Sequence, residues 1–185
     1  MISTNDMRPG QTLDIDGTLF TIINYQHVKP GKGQAFVKTK LKNVKSGGVV
    51  DKTFRADEKV NLAVLDKREM QYLYTDDAGL VFMDNETYEQ IHVDPELLGE
   101  SKRFLKDGVI CMIPTYEGNP IGAELPITLE LEITETEPGV KGDRVSGALK
   151  AATLETGATV QVPLFLESGD RVKVDTRSGD YLSRA

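Results

Sequence analysis

Short apolar runs recur along this 185-residue chain, several of them alternating with polar residues, and turn-forming Gly, Pro and Asp separate them. An apolar–polar alternation with a period of two is typical of a strand that buries one face. We predict strands at residues 12–15, 19–28, 35–41, 49–54, 70–75, 80–84, 109–116, 129–133, 158–165, 171–174 and 181–182. Strands at this regular spacing predict an all-β fold made of small barrels or sandwiches.

One segment has the signature of a helix. Asp94 can cap its N-terminus, Pro95 suits the first helical position, and Asp107 with Gly108 ends it. The apolar residues that fall on one helical face are Leu97, Leu98, Phe104 and Leu105. The sequence therefore predicts a single helix beside a sheet.

Charge is unevenly distributed along the chain. The 22 Lys and Arg residues against 29 Asp and Glu give a net charge of −7, which by itself argues against a nucleic-acid partner. Residues 1–63, however, have a net charge of +4, whereas residues 64–127 and 128–185 have −8 and −3. This asymmetry predicts that one end of the chain contacts a polyanion.

The same composition change marks a domain boundary. Basic sequence gives way to acidic sequence near residues 62–66, and a second break lies at residues 126–127. We predict three domains, residues 1–63, 64–127 and 128–185. A domain of about 60 residues buries only about 60% of its unfolded surface, so we expect rigid docking between at least two of them.

The most distinctive loop has the sequence Lys-Pro-Gly-Lys-Gly-Gln and spans residues 29–34, between two predicted strands. Its proline and glycines predict a hairpin that pushes Lys32 outward. Gly31 and Gly33 carry no Cβ, so the backbone can adopt a positive φ and another molecule can approach closely. The tip of this hairpin can therefore be very slender.

Lysines continue beyond the loop. Residues 29–59 hold nine Lys and Arg against three Asp and Glu. Lys38, Lys40 and Lys42 share one face of the predicted strand. The opposite face carries Val37, Thr39 and Leu41. A basic stripe that leads to a basic tip suits a phosphate backbone, although exposed lysines also serve only to keep a protein soluble or to prevent strand pairing.

Other residue combinations offer little chemistry. Lys32 does not belong to a nucleotide-binding P-loop, because Gly33, Gln34 and a strand follow it in place of Ser or Thr and a helix. The carboxylates at residues 76–77 and 135–137 lie in turn-like polar stretches that favour a solvated surface. We therefore expect no catalytic residues, and a protein that is not an enzyme.

The cysteine and histidines argue against metal and disulfide chemistry. Cys111 is the single cysteine and lies in an apolar run, which is typical of an inert core residue. His27 and His92 are far apart, and no cluster has metal-ligand spacing. The N-terminus lacks a signal-like apolar region, and no apolar run approaches the roughly 20 residues that span a bilayer. We expect a reduced cytoplasmic protein with no metal, no cofactor and no membrane association.

Longer motifs identify a family. Residues 27–36 and 52–55 resemble the first domain of the bacterial elongation factor P family. Residues 138–143, 150–157 and 175–184 resemble its third domain, so the resemblance extends over the whole chain. The first domain also resembles the eukaryotic and archaeal factor whose equivalent lysine becomes hypusine, and that relative lacks the third domain.

The resemblance implies a fold and a function. The fold is three small β-barrel domains, an N-terminal SH3-like or KOW-type domain and then two OB-folds, with one short helix in the middle domain. The function is that of a monomeric translation elongation factor that binds the ribosome between the peptidyl and exit tRNA sites. There the family relieves stalling at consecutive prolines.

The resemblance also implies roles for individual residues. Lys32 occupies the position that a lysine-modifying enzyme extends. The loop that reaches ribosomal RNA and the CCA end of the peptidyl-tRNA consists of Lys29, Pro30, Gly31, Lys32, Gly33 and Gln34. The loop that approaches the small subunit and the exit-site codon consists of Gly142, Asp143 and Arg144, and Arg144 stands where a threonine is often found.

Two other classes of function stay open. A generic OB-type RNA-binding protein without a ribosomal role would need exposed aromatic residues interleaved with basic ones, and only Phe36 lies on the lysine face. A hydrolase or ligase would need a polar cleft, which no residue combination in the sequence predicts.

Overall fold

The polypeptide folds into three antiparallel sheets that follow one another along the chain. The computed structural model describes residues 1–139 and 147–185. Strands make up most of the regular structure in this part of the chain, so the predicted all-β fold is confirmed.

The first sheet contains six strands. They are β1 (Ile2–Ser3), β2 (Thr12–Ile15), β3 (Thr18–Val28), β4 (Phe36–Asn43), β5 (Val49–Arg55) and β6 (Lys59–Leu62). Their spatial order is β1-β6-β2-β3-β4-β5. One face of this sheet closes over a core whose members include Met7, Leu13, Ile22, Val37, Leu41 and Phe54.

The second and third sheets contain five strands each. The second has β7 (Asp66–Asp76), β8 (Gly79–Met83), β9 (Gln90–Val93), β10 (Ile110–Tyr116) and β11 (Asn119–Pro120), in the order β11-β10-β7-β8-β9. The third has β12 (Thr128–Thr136), β13 (Leu149–Leu154), β14 (Thr159–Pro163), β15 (Arg171–Asp175) and β16 (Tyr181–Arg184), in the order β14-β13-β12-β15-β16. Each sheet packs on a core of its own. That residues 1–63, 64–127 and 128–185 are separate domains stays our proposal.

Every predicted strand is present, and five further strands are not predicted. Four of these, β1, β6, β9 and β11, have only two to four residues, too few for an alternation to stand out. The fifth, β13, has the sequence Leu-Lys-Ala-Ala-Thr-Leu, in which two alanines weaken the strand signal.

The predicted helix is present in place but differs in form. Residues Pro95–Phe104 form 3₁₀ turns, and the Asp94 side chain caps them by accepting a hydrogen bond of 3.0 Å from the backbone N–H of Glu96. Gly99 breaks the segment with φ 55° and ψ −137°, a conformation that glycine tolerates. The predicted short helical segment is therefore confirmed, but the break at Gly99 means that its apolar residues do not share one face. Leu98 packs in the second core, while Phe104 reaches the third.

Phe104 joins the second and third sheets. Its side chain is 1% exposed and belongs to the hydrophobic core of the third sheet, together with Leu131, Ile133 and Val172. The guanidinium of Arg103 lies 4.7 Å from the ring centroid of Phe104, a favourable cation–π distance. The second and third sheets therefore contact each other here, and that this contact is a rigid docking of two domains stays a prediction.

Polar contacts reinforce this junction. Lys106 Nζ lies 3.0 Å from Glu155 Oε1. Burial alone would raise the pKa of Glu155, but the hydrogen bonds from Lys106 and from the Glu132 N–H lower it below its ordinary value. The Thr176 hydroxyl donates a hydrogen bond of 2.6 Å to the Pro126 carbonyl.

The first and second sheets are also in contact. The Tyr116 hydroxyl donates a hydrogen bond of 3.0 Å to Asp14 Oδ2.

We predict that Phe104→Ala lowers the free energy of unfolding by about 3–5 kcal/mol, because it empties a site in the third core. The matched control is Phe165→Ala, since Phe165 is 65% exposed and should change stability by only about 0.5 kcal/mol. Urea denaturation of both variants measures the difference. Equal losses would contradict the role of Phe104 as the docking residue.

A second prediction concerns pH. Hydrogen bonds from the side chain and the backbone N–H of Arg177 hold the pKa of Asp175 at about 2, below the value of about 3.9 for an unfolded chain. Because the folded pKa is depressed, Asp175 contributes stability above about pH 4 and loses it as the pH falls toward 2. The gap in unfolding free energy between the natural chain and Asp175→Asn should therefore shrink from pH 5 to pH 2. If the difference in unfolding free energy stays constant over this range, the pKa of Asp175 is not lowered by its hydrogen bonds to Arg177.

Candidate nucleic-acid interface

The connection between β3 and β4 in the first sheet is exposed to solvent. These strands form an antiparallel hairpin in which Val28 pairs with Phe36, so residues 29–35 make the loop. All six residues from Lys29 to Gln34 are exposed to solvent. The predicted hairpin with an outward Lys32 is therefore observed.

Glycine shapes the tip of this loop. Gly33 has a φ of +103°, a conformation that side chains with a Cβ rarely adopt. Gly31 does not have a positive φ, so the expectation of unusual backbone geometry holds only for Gly33. A Cβ at either position would meet no atom of the described residues within 4 Å, so the loop is open to an approaching molecule.

The return of the loop into β4 is held by the pairing of Phe36 with Val28 and Arg55, and by one further backbone contact. The N–H of Ala56 donates a hydrogen bond of 3.1 Å to the carbonyl of Ala35. Ala35 is half-buried, in contrast to the residues that precede it. The loop thus has a fixed stem and an exposed tip.

The lysines of β4 lie on the outer face of the sheet, as predicted. Lys38, Lys40 and Lys42 are exposed. The alternate residues Val37, Thr39 and Leu41 are buried. A strand rises about 3.4 Å per residue, so neighbouring lysines of this stripe are separated by about 7 Å along the strand.

Strand pairing adds groups to this stripe that sequence reasoning missed. Arg55 pairs with Phe36 and therefore shares the outer face. Asn24 pairs with Lys40, and Gln26 with Lys38, which brings two side-chain amides beside the lysines. A depression of about 380 Å³ lies here. Only the register of the strands reveals this grouping, since the members are up to 31 positions apart in sequence.

We call the outer groups Asn24, Gln26, Lys38, Lys40, Lys42 and Arg55 the basic face. Within residues 1–139 and 147–185, no carboxylate forms a salt bridge with its lysines or with Lys32. The amine of Lys38 lies 5.7 Å from the ring centroid of Phe36. Asp51 pairs with Lys40 on the same outer face. The four cations Lys38, Lys40, Lys42 and Arg55 outnumber this carboxylate, so the face keeps the positive charge that a phosphate backbone needs.

The structure does not gather an alternative active site from the residues it describes. Cys111 is 1% exposed, and burial raises the pKa of its thiol to about 11, which keeps it protonated and unreactive. His92 lies 2.9 Å from Asp76 on an exposed surface, and this hydrogen bond lowers the pKa of Asp76. No group of three or more His, Cys, Asp or Glu in the described residues could hold a metal ion.

Two further predictions from the sequence concern the exit-codon loop and membrane-spanning segments. Gly142, Asp143 and Arg144, predicted to approach the exit-site codon, lie outside the described residues. None of the described helical turns has the length and apolar composition of a bilayer-spanning helix.

Comparison with protein families accounts for nearly all of the chain. Residues 3–60 match the elongation factor P KOW-like domain, residues 65–123 the elongation factor P OB domain, and residues 129–184 the elongation factor P C-terminal domain. The chain belongs to the elongation factor P family. It is therefore a translation elongation factor.

Curated relatives in this family are similar over their full length. The elongation factor P of Beutenbergia cavernae is 58% identical over 184 residues, covering 100% of this chain and 99% of that protein. The elongation factor P of Moorella thermoacetica is 54% identical over 185 residues and is covered completely.

Solved structures share the fold at much lower identity. Translation initiation factor 5A from Methanococcus jannaschii has a TM-score of 0.57 and 22% identity, and the match covers 67% of this chain and 91% of that one. An initiation factor 5A family protein from Naegleria fowleri has a TM-score of 0.52 and 12% identity, covering 67% and 96%. These values show a common architecture for about two thirds of the elongation factor chain.

We predict that the basic face sets the salt dependence of binding to tRNA or ribosomes. Lys40→Gln should lower the slope of log Kobs against log salt concentration by about one, because one phosphate contact is lost. Lys102→Gln is the matched control, since it removes the same charge from an exposed position in the second sheet's segment. If the two variants change the slope equally, only net charge matters and the basic face has no special role.

Proposed function

We propose that this elongation factor binds the ribosome between the peptidyl and exit tRNA sites and stimulates peptide-bond formation at consecutive prolines. Lys32, in a form extended by a lysine-modifying enzyme, positions the CCA end of the peptidyl-tRNA. The single observation that carries the proposal is the isolated, outward Lys32 on a hairpin whose six tip residues are all exposed.

The shape of the hairpin supports this role. A probe that enters a crowded RNA cavity has to be narrow, and the residues around Lys32 include two glycines with open space around them. Lys29 adds a second cation at the start of the loop, and Pro30 restricts the backbone between them. Gln34 supplies a side-chain amide that can donate and accept hydrogen bonds at the return. Together these residues form a contact surface for peptidyl-tRNA and ribosomal RNA.

The distribution of charge supports the proposed orientation. The basic face and Lys32 belong to the segment of net charge +4, and the remaining segments are acidic. Phosphate backbones attract the first and repel the second, so the factor should dock with its first sheet toward the tRNA. Gly142, Asp143 and Arg144 would then contact the small subunit and the exit-site codon.

The chemistry of the reaction explains why a cation suffices. Proline has a fixed φ and a secondary amine, so a prolyl acceptor is difficult to align for attack. Holding the reacting ends together lowers the entropic part of the barrier, and this requires neither an acid nor a base. The ribosome performs the chemistry, and the factor is not an enzyme.

The setting follows from this role. We infer a cytoplasmic monomer whose partners are the ribosome, peptidyl-tRNA, ribosomal RNA and the enzyme that modifies Lys32. It needs no cofactor and no membrane. Phe36 is the one aromatic residue among the lysines of β4, which favours this role over a generic RNA-binding protein that stacks several bases.

We predict that Lys32→Ala abolishes the stimulation of Pro-Pro-Pro synthesis in a reconstituted translation system. The exposed tip contributes little to the fold, so the free energy of unfolding should change by less than about 0.5 kcal/mol. Lys45→Ala is the matched control, because Lys45 is an exposed lysine in the β4–β5 turn of the same sheet.

Lys32→Arg separates charge from modification. It keeps the cation but removes the amine that an enzyme would extend, so its stimulation should be close to that of Lys32→Ala. Full stimulation by a folded Lys32→Ala variant would refute the proposed function.

A further inference from the structure

A buried threonine lies beneath the stem of the Lys32 loop. Thr4 is 0% exposed and belongs to a 3₁₀ turn, Thr4–Asp6, between β1 and β2. Its backbone N–H donates to the carbonyl of Glu58 at 2.8 Å, and its hydroxyl donates to the carbonyl of Arg55 at 2.8 Å. A polar side chain this deeply buried is stable only with such a partner.

The acceptor of this hydroxyl belongs to the peptide group that holds the loop. The carbonyl of Arg55 and the N–H of Ala56 are the two ends of one peptide unit, which is planar. The N–H end donates to the carbonyl of Ala35, where the loop returns to β4. One rigid group therefore connects the Thr4 hydroxyl to the stem of the loop, and hydrogen bonds in such a chain polarise and strengthen each other.

The same 3₁₀ turn also contacts the strand that enters the loop. The Tyr25 hydroxyl on β3 donates to the carbonyl of Asn5 at 3.2 Å. The turn is thus bonded to both sides of the hairpin, to β3 directly and to the loop's return through the Arg55–Ala56 peptide group. Lys32 is only three residues from Ala35, so a rotation of this peptide group changes where the tip points.

We infer that Thr4 is a positioning residue for Lys32. It fixes the peptide group that anchors Ala35 and so aims the exposed tip, although it contacts neither RNA nor Lys32 itself. The inference rests on the proposed function for its activity readout and on the hydrogen-bond geometry for its structural readout.

Thr39 provides a matched control in the same sheet. Its hydroxyl donates to the carbonyl of Lys52 at 2.8 Å, and its side chain is 3% exposed. Thr4→Val and Thr39→Val therefore remove the same kind of buried hydroxyl–carbonyl bond. The two substitutions differ in one respect. The acceptor of Thr4 belongs to the peptide group that bonds Ala35 at the loop, and the acceptor of Thr39 does not.

The activity experiment measures Pro-Pro bond formation against factor concentration. Thr4→Val should lower the maximal stimulation about tenfold, since small displacements of a positioning group have large effects on rate, with little change in the concentration for half-maximal stimulation. Thr39→Val should keep its maximum, and Thr4→Ser should restore it by supplying the hydroxyl. Equal losses in the two valine variants, or full activity of Thr4→Val, would overturn the inference.

A structural experiment keeps the inference testable if Lys32→Ala turns out fully active and the proposed function fails. Amide hydrogen exchange of Ala56, measured by NMR below the melting temperature of each variant, should be about tenfold faster in Thr4→Val than in Thr39→Val. Should Thr4→Val not fold, Thr4→Ser and Thr4→Ala give the same comparison. Exchange at Ala56 that does not depend on the hydroxyl at position 4 would overturn the inference independently of translation.

Discussion

The alternation of β4 is the constraint on which the first sheet depends. Val37, Thr39 and Leu41 are buried in the core, and the same backbone geometry forces Lys38, Lys40 and Lys42 to the outside. Burial of the first set holds the strand in register, because a slip of one residue would place the lysines in the core. The hydrophobic core and the cationic surface are consequently opposite faces of β4, and both depend on its register.

That register also determines where Lys32 stands. The pairing of Val28 with Phe36 closes the hairpin, and the bond from Ala56 to Ala35 fixes its stem. Among the described residues, none packs against the glycines of the tip, so its position depends on a few hydrogen bonds at its base. An exposed tip on a fixed stem suits a side chain that is proposed to enter a site made by another molecule.

The second and third sheets are joined to each other and differ in charge from the first. Phe104 couples the second and third sheets because it follows β9 in the chain but buries its side chain in the core of the third sheet. The ion pair of Lys106 with Glu155 lies at the same junction. These segments are acidic, so the net positive charge of the chain is concentrated in the first sheet. An acidic protein can therefore present one strongly basic surface.

Sequence reasoning recovered the features that depend on local pattern. The β4 stripe, the outward Lys32 and the Asp94 cap each follow from neighbours in sequence. What it missed depends on long-range pairing. Arg55 belongs to the basic face because it pairs with Phe36. Gly99 turns the chain, so Phe104 packs in the core of the third sheet and not, like Leu98, in that of the second. Thr4 gives no signal at all in the sequence, since its role comes from a carbonyl 51 residues away.

The proposed function requires Lys32 to enter the ribosomal active centre while Lys45, in the β4–β5 turn, stays outside it. Site-specific photo-crosslinking from position 32, with position 45 as the control on the same sheet, tests this most directly. On ribosomes stalled at consecutive prolines, position 32 should crosslink to the terminal CCA nucleotides of the peptidyl-tRNA and position 45 should not. Crosslinks from position 32 only to the outer ribosomal surface, or equal CCA crosslinks from both positions, would contradict the account.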